Sequence, residues 1–177
     1  GTMDRAMTAL ATPWLDRFSE DLTLLSRAGY LPLCVAREKE ISEIFNIIQG
    51  GRTSVVLVGL PGTGKTNVVD GIANLMVEEE VPEVMRDKRF VSLSIQKLVA
   101  GASRPGELEE RVMIIMNEII MAGNIILHVD DIHNLVGLSS QGTENVDLSE
   151  VFANFFSRKT VITIASTTPT DYVKYLE

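Results

Sequence analysis

"SVVLVGLPGTGKT", residues 54–66, is the stretch that decides the fold of this chain. Its first five residues are mostly β-branched and apolar, which is typical of a strand buried on both faces. The remainder, residues 59–66, matches the pattern G-x-x-x-x-G-K-[ST]. Glycines let a backbone wrap closely enough for several N–H groups to point at phosphate oxygens. A plain glycine turn is the alternative, but a predicted strand before the motif and a predicted helix after it favour a phosphate-binding loop.

The residues at the end of this loop have specific predicted roles. The helix that begins near Lys65 adds the positive end of its dipole to the phosphate site. Lys65 is predicted to reach the β- and γ-phosphates, and the Thr66 hydroxyl to bind Mg²⁺. No Asn-Lys-x-Asp guanine-reading motif occurs in the chain, so we expect ATP or ADP. The predicted nucleotide-binding residues here are Pro61, Gly62, Thr63, Gly64, Lys65, Thr66 and Asn67.

Strand and helix patterns alternate along the chain. Predicted strands cover residues 54–58, 90–95, 125–129 and 161–165, and predicted helices cover 37–49, 65–79, 107–122 and 147–156, with another beginning near 170. Such alternation predicts a three-layer α/β/α fold with a mostly parallel sheet. Ligands in these folds bind at the carboxyl ends of the strands.

Polar residues follow two of the predicted strands. Asp130 and Asp131 end the run "IILHVDD", and Thr167 and Thr168 lie in "IASTTPT". We predict that Asp130 holds Mg²⁺ through water and that Asp131 orients the water that attacks the γ-phosphate. Two acids that begin a surface loop, and threonines that form an ordinary turn, are the alternatives. A threonine hydroxyl at this edge could help to position the water or the γ-phosphate.

Composition narrows the class of protein. The net charge of -8 argues against a nucleic-acid surface, which would show as a basic face. No apolar run reaches the roughly 18 residues that a membrane span needs. The single cysteine allows no internal disulfide, which fits the cytoplasm. Gly1 and Thr2 are interpreted as a tag remnant within an N-terminal segment, residues 1–14.

Several collinear motifs resemble the first AAA+ module of Clp-type protein unfoldases and disaggregases. They are "LDRFSEDLTLLSRAGYLPLCVAREKEI", "GLPGTGKTNVVDGIA", "DKRFVSLSIQKLVAGASRPGELEER" and "ASTTPTDYVKYLE". The resemblance implies a P-loop NTPase (AAA+) large subdomain over residues 15–177, without the helical lid. It also implies an ATPase that assembles into a ring, expected to be a hexamer, and acts on protein substrates, with a protease as a further partner. Neither nucleic acid nor membrane is expected as a partner.

The resemblance assigns further site residues. Val35 and Ala36 would border the adenine, although the family usually has an Ile-Gly pair there. Thr168 would be the sensor-1 residue, with Thr167 as the fallback. Asp131 stands where the family has glutamate, and this shortens the reach of the base by ~1.5 Å. A misplacement of about 1 Å can cost ~100-fold in rate, near 2.7 kcal/mol.

Two other departures bear on activity. Arg104 replaces the aromatic residue with which the family's pore loop grips a polypeptide, so pulling by this loop is in doubt. The family's arginine finger, last sheet strand and lid are expected beyond Glu177. A trans finger is worth ~10³ to 10⁵ in rate, more than the shortened acid costs. Arg158 and Lys159 precede the fourth strand, at the wrong edge of the sheet, and are rejected as substitutes.

Three functions therefore compete. The first is an ATPase module of a protein-remodelling ring, and the second is a degenerate module that binds ATP for assembly with little hydrolysis. A nucleic-acid-acting AAA+ ATPase is the third, and the acidic composition opposes it. His128 and His133 are interpreted as structural histidines rather than zinc ligands. Arg111 is expected to pair with acids of its own or a neighbouring subunit.

Overall fold

The structure is a computed structural model that describes residues 10–33, 37–59, 65–130, 132 and 148–167, with the backbone alone for Lys65, Thr66, Leu148 and Ser149. The helices are α1 Pro13–Arg17, α2 Leu22–Arg27, α3 Glu38–Gln49, α4 Lys65–Val77, α5 Ile95–Val99, α6 Glu107–Ala122 and α7 Leu148–Phe156, with a 3₁₀ turn at Glu83–Met85. The strands are β1 Ser19–Asp21, β2 Ser54–Val58, β3 Arg89–Leu93, β4 Ile125–Val129 and β5 Thr163–Thr167. In the described part of the chain, no helix is both long and apolar enough to span a bilayer.

The five strands form one sheet in the order β1-β3-β4-β5-β2. β1 is antiparallel to β3, and the pairs β3–β4, β4–β5 and β5–β2 are parallel. The strand that precedes the predicted phosphate loop, β2, therefore lies next to β5, and β4, which Asp130 follows, lies between β5 and β3. The predicted mostly parallel sheet is confirmed.

Helices cover both faces of the sheet, because successive strand residues point to opposite sides. On β4, Ile125, Leu127 and Val129 pack into a core with α1, α5, α6 and α7. Ile126 points the other way, into a second core with α2, α3 and α4. The three-layer α/β/α architecture is thus confirmed.

Several predicted elements need correction. β2 was predicted to be buried on both faces, yet Val58 is 46% exposed, because β2 pairs with β5 alone among the described residues. The strand predicted over 90–95 ends at Leu93, because the Ser94 hydroxyl accepts from the Lys97 amide and caps α5. The strand predicted over 161–165 instead covers Thr163–Thr167. Val161 and Ile162 are buried just before the strand, and the Ile162 carbonyl already accepts from the Leu127 amide of β4 at 2.9 Å.

The N-terminal segment contributes a strand that the sequence did not predict. β1 has only three residues, all polar, and it pairs with β3 from Ser19↔Leu93 to Asp21↔Val91. Arg89 anchors this segment by donating to Asp21 Oδ2 at 2.9 Å, Thr12 Oγ1 at 2.9 Å and Asp16 Oδ1 at 3.2 Å. Pairing here therefore depends on a side chain far away in the sequence, which no alternation of apolar residues would reveal.

Candidate nucleotide-binding site

The carboxyl ends of β2, β4 and β5 meet at one edge of the sheet. Val58 is in register with Thr167, and the Gly59 amide donates to the Thr167 carbonyl at 3.1 Å. Asp130 comes directly after β4, one position beyond the registered pair Val129↔Ala165. α4 begins at Lys65, six positions after Gly59, which is the last described residue after β2. This edge is where the sequence predicted a nucleotide.

The predicted site residues divide into those that the structure describes and those that it does not. Asn67 lies exposed in the first turn of α4, and Asp130 is exposed at the end of β4. Lys65 and Thr66 are the first two residues of α4. Their roles and those of the remaining residues stay predictions. The predicted residues outside the described ranges are Val35, Ala36, Pro61, Gly62, Thr63, Gly64, Asp131 and Thr168.

Thr167 is poorly placed to replace Thr168 as the sensor residue. Its side chain is buried at 1% exposure, at the last position of β5. Because side chains alternate along a strand, Thr167 points to the face opposite Ser166. Ser166 lines the same cavity as Asp130, so the Thr167 hydroxyl faces away from it.

A polar cavity of about 150 Å³ lies beside Asp130, beneath α4. Asp70 on α4 and Glu20 on β1 both line this cavity. Burial, and secondly repulsion from Glu20, raise the pKa of the Asp70 carboxyl above its ordinary value. The remaining lining residues are Leu22, Val69, Ser92, His128 and Ser166.

His128 is hydrogen bonded on both sides of its ring, as expected of a structural histidine. Its Nδ1 lies 2.8 Å from Ser92 Oγ and its Nε2 lies 3.1 Å from Ser166 Oγ. His133 lies outside the described residues. No group of three or more potential metal-ligating side chains was found among the residues that the structure describes.

Arg111 organises the loop between α5 and α6, where the family's pore loop would lie. One guanidinium nitrogen donates to the Leu98 carbonyl at 2.7 Å and to the Ala100 carbonyl at 2.8 Å. The other terminal nitrogen donates to Glu107 Oε1 at 3.3 Å. The guanidinium also lies 5.2 Å from the centre of the Phe18 ring. Arg111 thus pairs with an acid of its own helix, as predicted, and holds both ends of the loop.

Arg104 projects from the same loop, with its side chain 78% exposed. Its amide donates to Glu107 Oε2 at 3.1 Å, and its Nε lies 3.5 Å from the same oxygen. These contacts, led by the amide of Arg104, lower the pKa of Glu107. The loop therefore presents a charged, tethered side chain where the family has an aromatic one.

Arg158 and Lys159 lie at the edge of the sheet that is remote from Asp130. The Thr53 hydroxyl, immediately before β2, donates to the Arg158 carbonyl at 3.3 Å. This places both residues at the amino ends of β2 and β5, and their rejection as arginine-finger substitutes is supported by the geometry.

Ser92, Ser166 and Asp70 were not predicted from the sequence, and neither was their meeting with His128 at one cavity. The available signal was a polar residue at the fourth position of each of the three strands, most clearly His128 in the otherwise apolar β4. Such residues are costly to bury unless they are hydrogen bonded, and this predicts that they meet. Pairing them correctly would have required the strand order and register.

Comparison with known proteins identifies the family. The model of the "ATPase family associated with various cellular activities (AAA)" matches residues 55–175. The chain is 39% identical over 168 residues to the ATP-dependent Clp protease ATP-binding subunit ClpC of Staphylococcus epidermidis. It is 38% identical over 169 residues to the chaperone protein ClpB of Oceanobacillus iheyensis. Each match covers 94% of this chain but only 20% and 21%, respectively, of the relative.

Solved structures agree with this assignment. The Hsp104–ADP complex of S. cerevisiae matches with a TM-score of 0.78 and 28% identity, over 92% of this chain and 28% of that one. The S. cerevisiae Hsp104:casein complex matches with a TM-score of 0.77 and 29% identity, over 91% and 27%. The chain spans about a fifth of the length of its curated relatives. It belongs to the AAA family of ATPases, as a nucleotide-binding module of the Clp type.

Proposed function

We propose that this chain binds ATP and Mg²⁺ as a module of a Clp-type machine that remodels proteins. The observation that carries the proposal is the meeting of the β2, β4 and β5 ends at one sheet edge, where α4 begins with Lys65 and Thr66. Mg²⁺ would neutralise charge on the β- and γ-phosphates, and Thr66 and Asp130 would hold it. Lys65 would pair with the same phosphates.

The start of α4 suits a phosphate group. A helix leaves its first N–H groups without intrahelical partners, and these favour an anion. The first turn of α4 contains no acidic residue that would repel or replace a phosphate. By contrast, the first turn of α6 contains Glu107, Glu109 and Glu110. The difference favours α4 as the helix that receives the nucleotide.

The relatives suggest the wider setting. Hsp104 has been solved with ADP and with casein. We extend both properties to this chain as part of the proposal, so that it would bind an adenine nucleotide and serve a machine whose substrates are proteins. Assembly into a ring, as a hexamer, belongs to the same proposal.

A second candidate function is nucleotide binding that supports assembly with little hydrolysis. The observation that favours it is the loop at Arg104, whose exposed guanidinium is tethered to Glu107. A charged side chain cannot give a translocating polypeptide the apolar grip of an aromatic ring. Asp131, which stands where the family has glutamate, is a second and independent feature that favours little hydrolysis.

Calorimetry with Mg²⁺ and ATP tests the binding function. We expect the unmutated chain to bind and Lys65→Ala to remove measurable binding, because the charge-assisted contact to the phosphates is lost. Lys159→Ala removes the same charge at the opposite edge of the sheet and is the matched control. An unmutated chain that binds neither ATP nor ADP would refute the proposal.

Turnover separates the two candidate functions. In a full-length protein, Asp131→Glu restores the longer base and is expected to raise the hydrolysis rate by up to ~100-fold. The isolated chain is expected to hydrolyse ATP negligibly with either residue. A brisk rate from the unmutated isolated chain would argue against the degenerate function.

A further inference from the structure

Three polar side chains form a continuous row across the middle of the sheet. Ser92 on β3, His128 on β4 and Ser166 on β5 point to the same face, and the ring of His128 bridges the two hydroxyls. His128 is 6% exposed and Ser166 is fully buried. Phe90 packs edge-on against the imidazole, with ring centres 6.3 Å apart. His128 and Ser166 are therefore buried on the face of the second core, where an unsatisfied polar group would be costly, while Ser92 is half-buried.

The two hydrogen bonds make the row directional. A neutral imidazole donates from one nitrogen and accepts at the other. One serine must therefore accept from the ring while the other donates to it, and a hydroxyl can do either. Such a bridge fixes the orientation of the ring and ties β4 to both neighbouring strands. In an interior of low polarity these bonds are stronger than in water.

The row lies directly behind the proposed magnesium residue. Asp130 is two positions after His128, and both line the same cavity with Ser92 and Ser166. Ser166 is followed by Thr167, whose carbonyl accepts from the Gly59 amide at the start of the phosphate loop. Two short connections thus lead from His128, one to Asp130 and one to the phosphate loop.

We propose that His128 is a positioning residue that fixes Asp130 relative to the phosphate loop. The inference rests on the proposed Mg²⁺·ATP binding and goes beyond it, because it gives a role to a residue that touches neither ligand. The hydrogen bonds between His128 and the hydroxyls of Ser92 and Ser166 hold the end of β4 at a set distance from the end of β5. Without them the end of β4 can shift, and Mg²⁺ would lose ideal contact with Asp130 while the phosphates remain bound to the loop.

The alternative is that the row only fills space, and an apolar replacement of all three residues separates the two roles. In S92A/H128F/S166A no polar group of the row is left without its partner, and the aromatic ring is kept. Replacing both partners of a buried hydrogen bond by apolar groups can be nearly neutral for stability. His128→Phe alone leaves both serines without the ring, so a lower Tm is expected for that variant.

The experiment measures ATP binding by the 177-residue chain across a Mg²⁺ titration, and ADP binding in EDTA. We expect the triple variant to need ~10-fold more Mg²⁺ for half-maximal ATP binding, the lower end of the loss seen when groups behind a metal ligand are changed. Its ADP affinity in EDTA should match that of the unmutated chain. His128→Gln can keep a hydrogen bond to Ser166 and should require less Mg²⁺ than the triple variant.

Thr163→Val is the matched control. Its hydroxyl donates to Ser54 Oγ at 3.1 Å, across β5 and β2 at the opposite end of the sheet, so the Mg²⁺ requirement should not change. A triple variant with an unaltered Mg²⁺ requirement would overturn the positioning role, and so would a His128→Gln variant as impaired as the triple one. If the unmutated chain binds no Mg²⁺·ATP, both the positioning role and the proposed function are overturned.

Discussion

Replacing Arg89 by methionine should destabilise the fold more than any change of a surface charge. Its guanidinium is 14% exposed and donates to Asp21, Thr12 and Asp16. Asp21 in turn caps α2 by accepting from the Leu24 amide at 3.1 Å. Burial alone would lower the pKa of Arg89, but hydrogen bonds and charge from Asp21 and Asp16 outweigh it and raise that pKa.

The structure sets the size of the effect. Removing one partner of a buried ion pair costs about 3–5 kcal/mol, because the other charge is left uncompensated. The Asp21 side chain, at 9% exposure, is such a partner. Asp16 is 57% exposed, so its share falls within the ~0–1 kcal/mol of a surface pair. A loss of about 3 kcal/mol would lower the urea midpoint by ~1.5 M if the unfolding slope is near 2 kcal/mol/M.

Urea unfolding followed by the fluorescence of the single tryptophan, Trp14 in α1, measures this loss in the segment that Arg89 anchors. Arg158→Met removes the same charge from an exposed side chain and should cost less than about 0.5 kcal/mol. In R89M/D21N the uncompensated charge is gone, so the double variant should lose less than the sum of the single variants. A cost for Arg89→Met no larger than that of the control would refute the reasoning.

Three further outcomes are expected. Without Mg²⁺ or nucleotide, Asp70→Asn should be more stable than the unmutated chain at pH 7. The pKa of Asp70 is raised in the folded state, so the unmutated chain loses stability as the pH rises through that pKa. The difference in stability between the two chains should therefore disappear as the pH falls toward about 4. Arg111→Lys should lower the free energy of unfolding by about 1–2 kcal/mol and speed amide exchange at residues 100–106. An ammonium group cannot donate to two carbonyls and to Glu107 with the geometry of the guanidinium. Unchanged amide exchange would contradict this prediction. Light scattering should show self-association of the chain at high concentration through the outer edge of β2, and Val58→Lys should suppress it; a strictly monomeric chain would count against pairing at that edge.

Local patterns predicted the parts of the fold that local forces determine. The periodic stripe of residues 37–49 and the apolar run of 125–129 correspond to α3 and β4 almost residue for residue. The phosphate loop stays a prediction, because residues 60–64 lie outside the described part of the chain. β1 could not be predicted from local patterns, since its three polar residues are held by pairing with β3 and by Arg89, some 70 residues away.

The candidate site was predictable at the level of sheet edges and not of side chains. Parallel strands bring Asp130 and the end of β5 to the same edge whatever lies between them, so the location followed from strand assignments alone. The burial of Thr167 on the opposite face depends on how far β5 extends, and the predicted strand stopped at residue 165, which left the orientation of Thr167 open. The row at His128 required the register of three strands, which no single stretch of sequence contains.

The two regions that depart from the family differ in how the fold supports them. At the loop, Arg111 and Glu107 hold the backbone while Arg104 is left exposed. The backbone of the loop is therefore held in place, but the loop presents a charged side chain and not the aromatic one that the resemblance predicts for gripping a polypeptide. Beside Asp130, the ring of His128 is hydrogen bonded to Ser92 and Ser166, although replacing all three by apolar residues could be nearly neutral for stability. Such a network adds geometric specificity rather than stability, and specificity is useful only if the distance from Asp130 to the phosphate loop matters. The proposed module, which would bind Mg²⁺ and ATP accurately and grip polypeptide weakly or not at all, accounts for both observations.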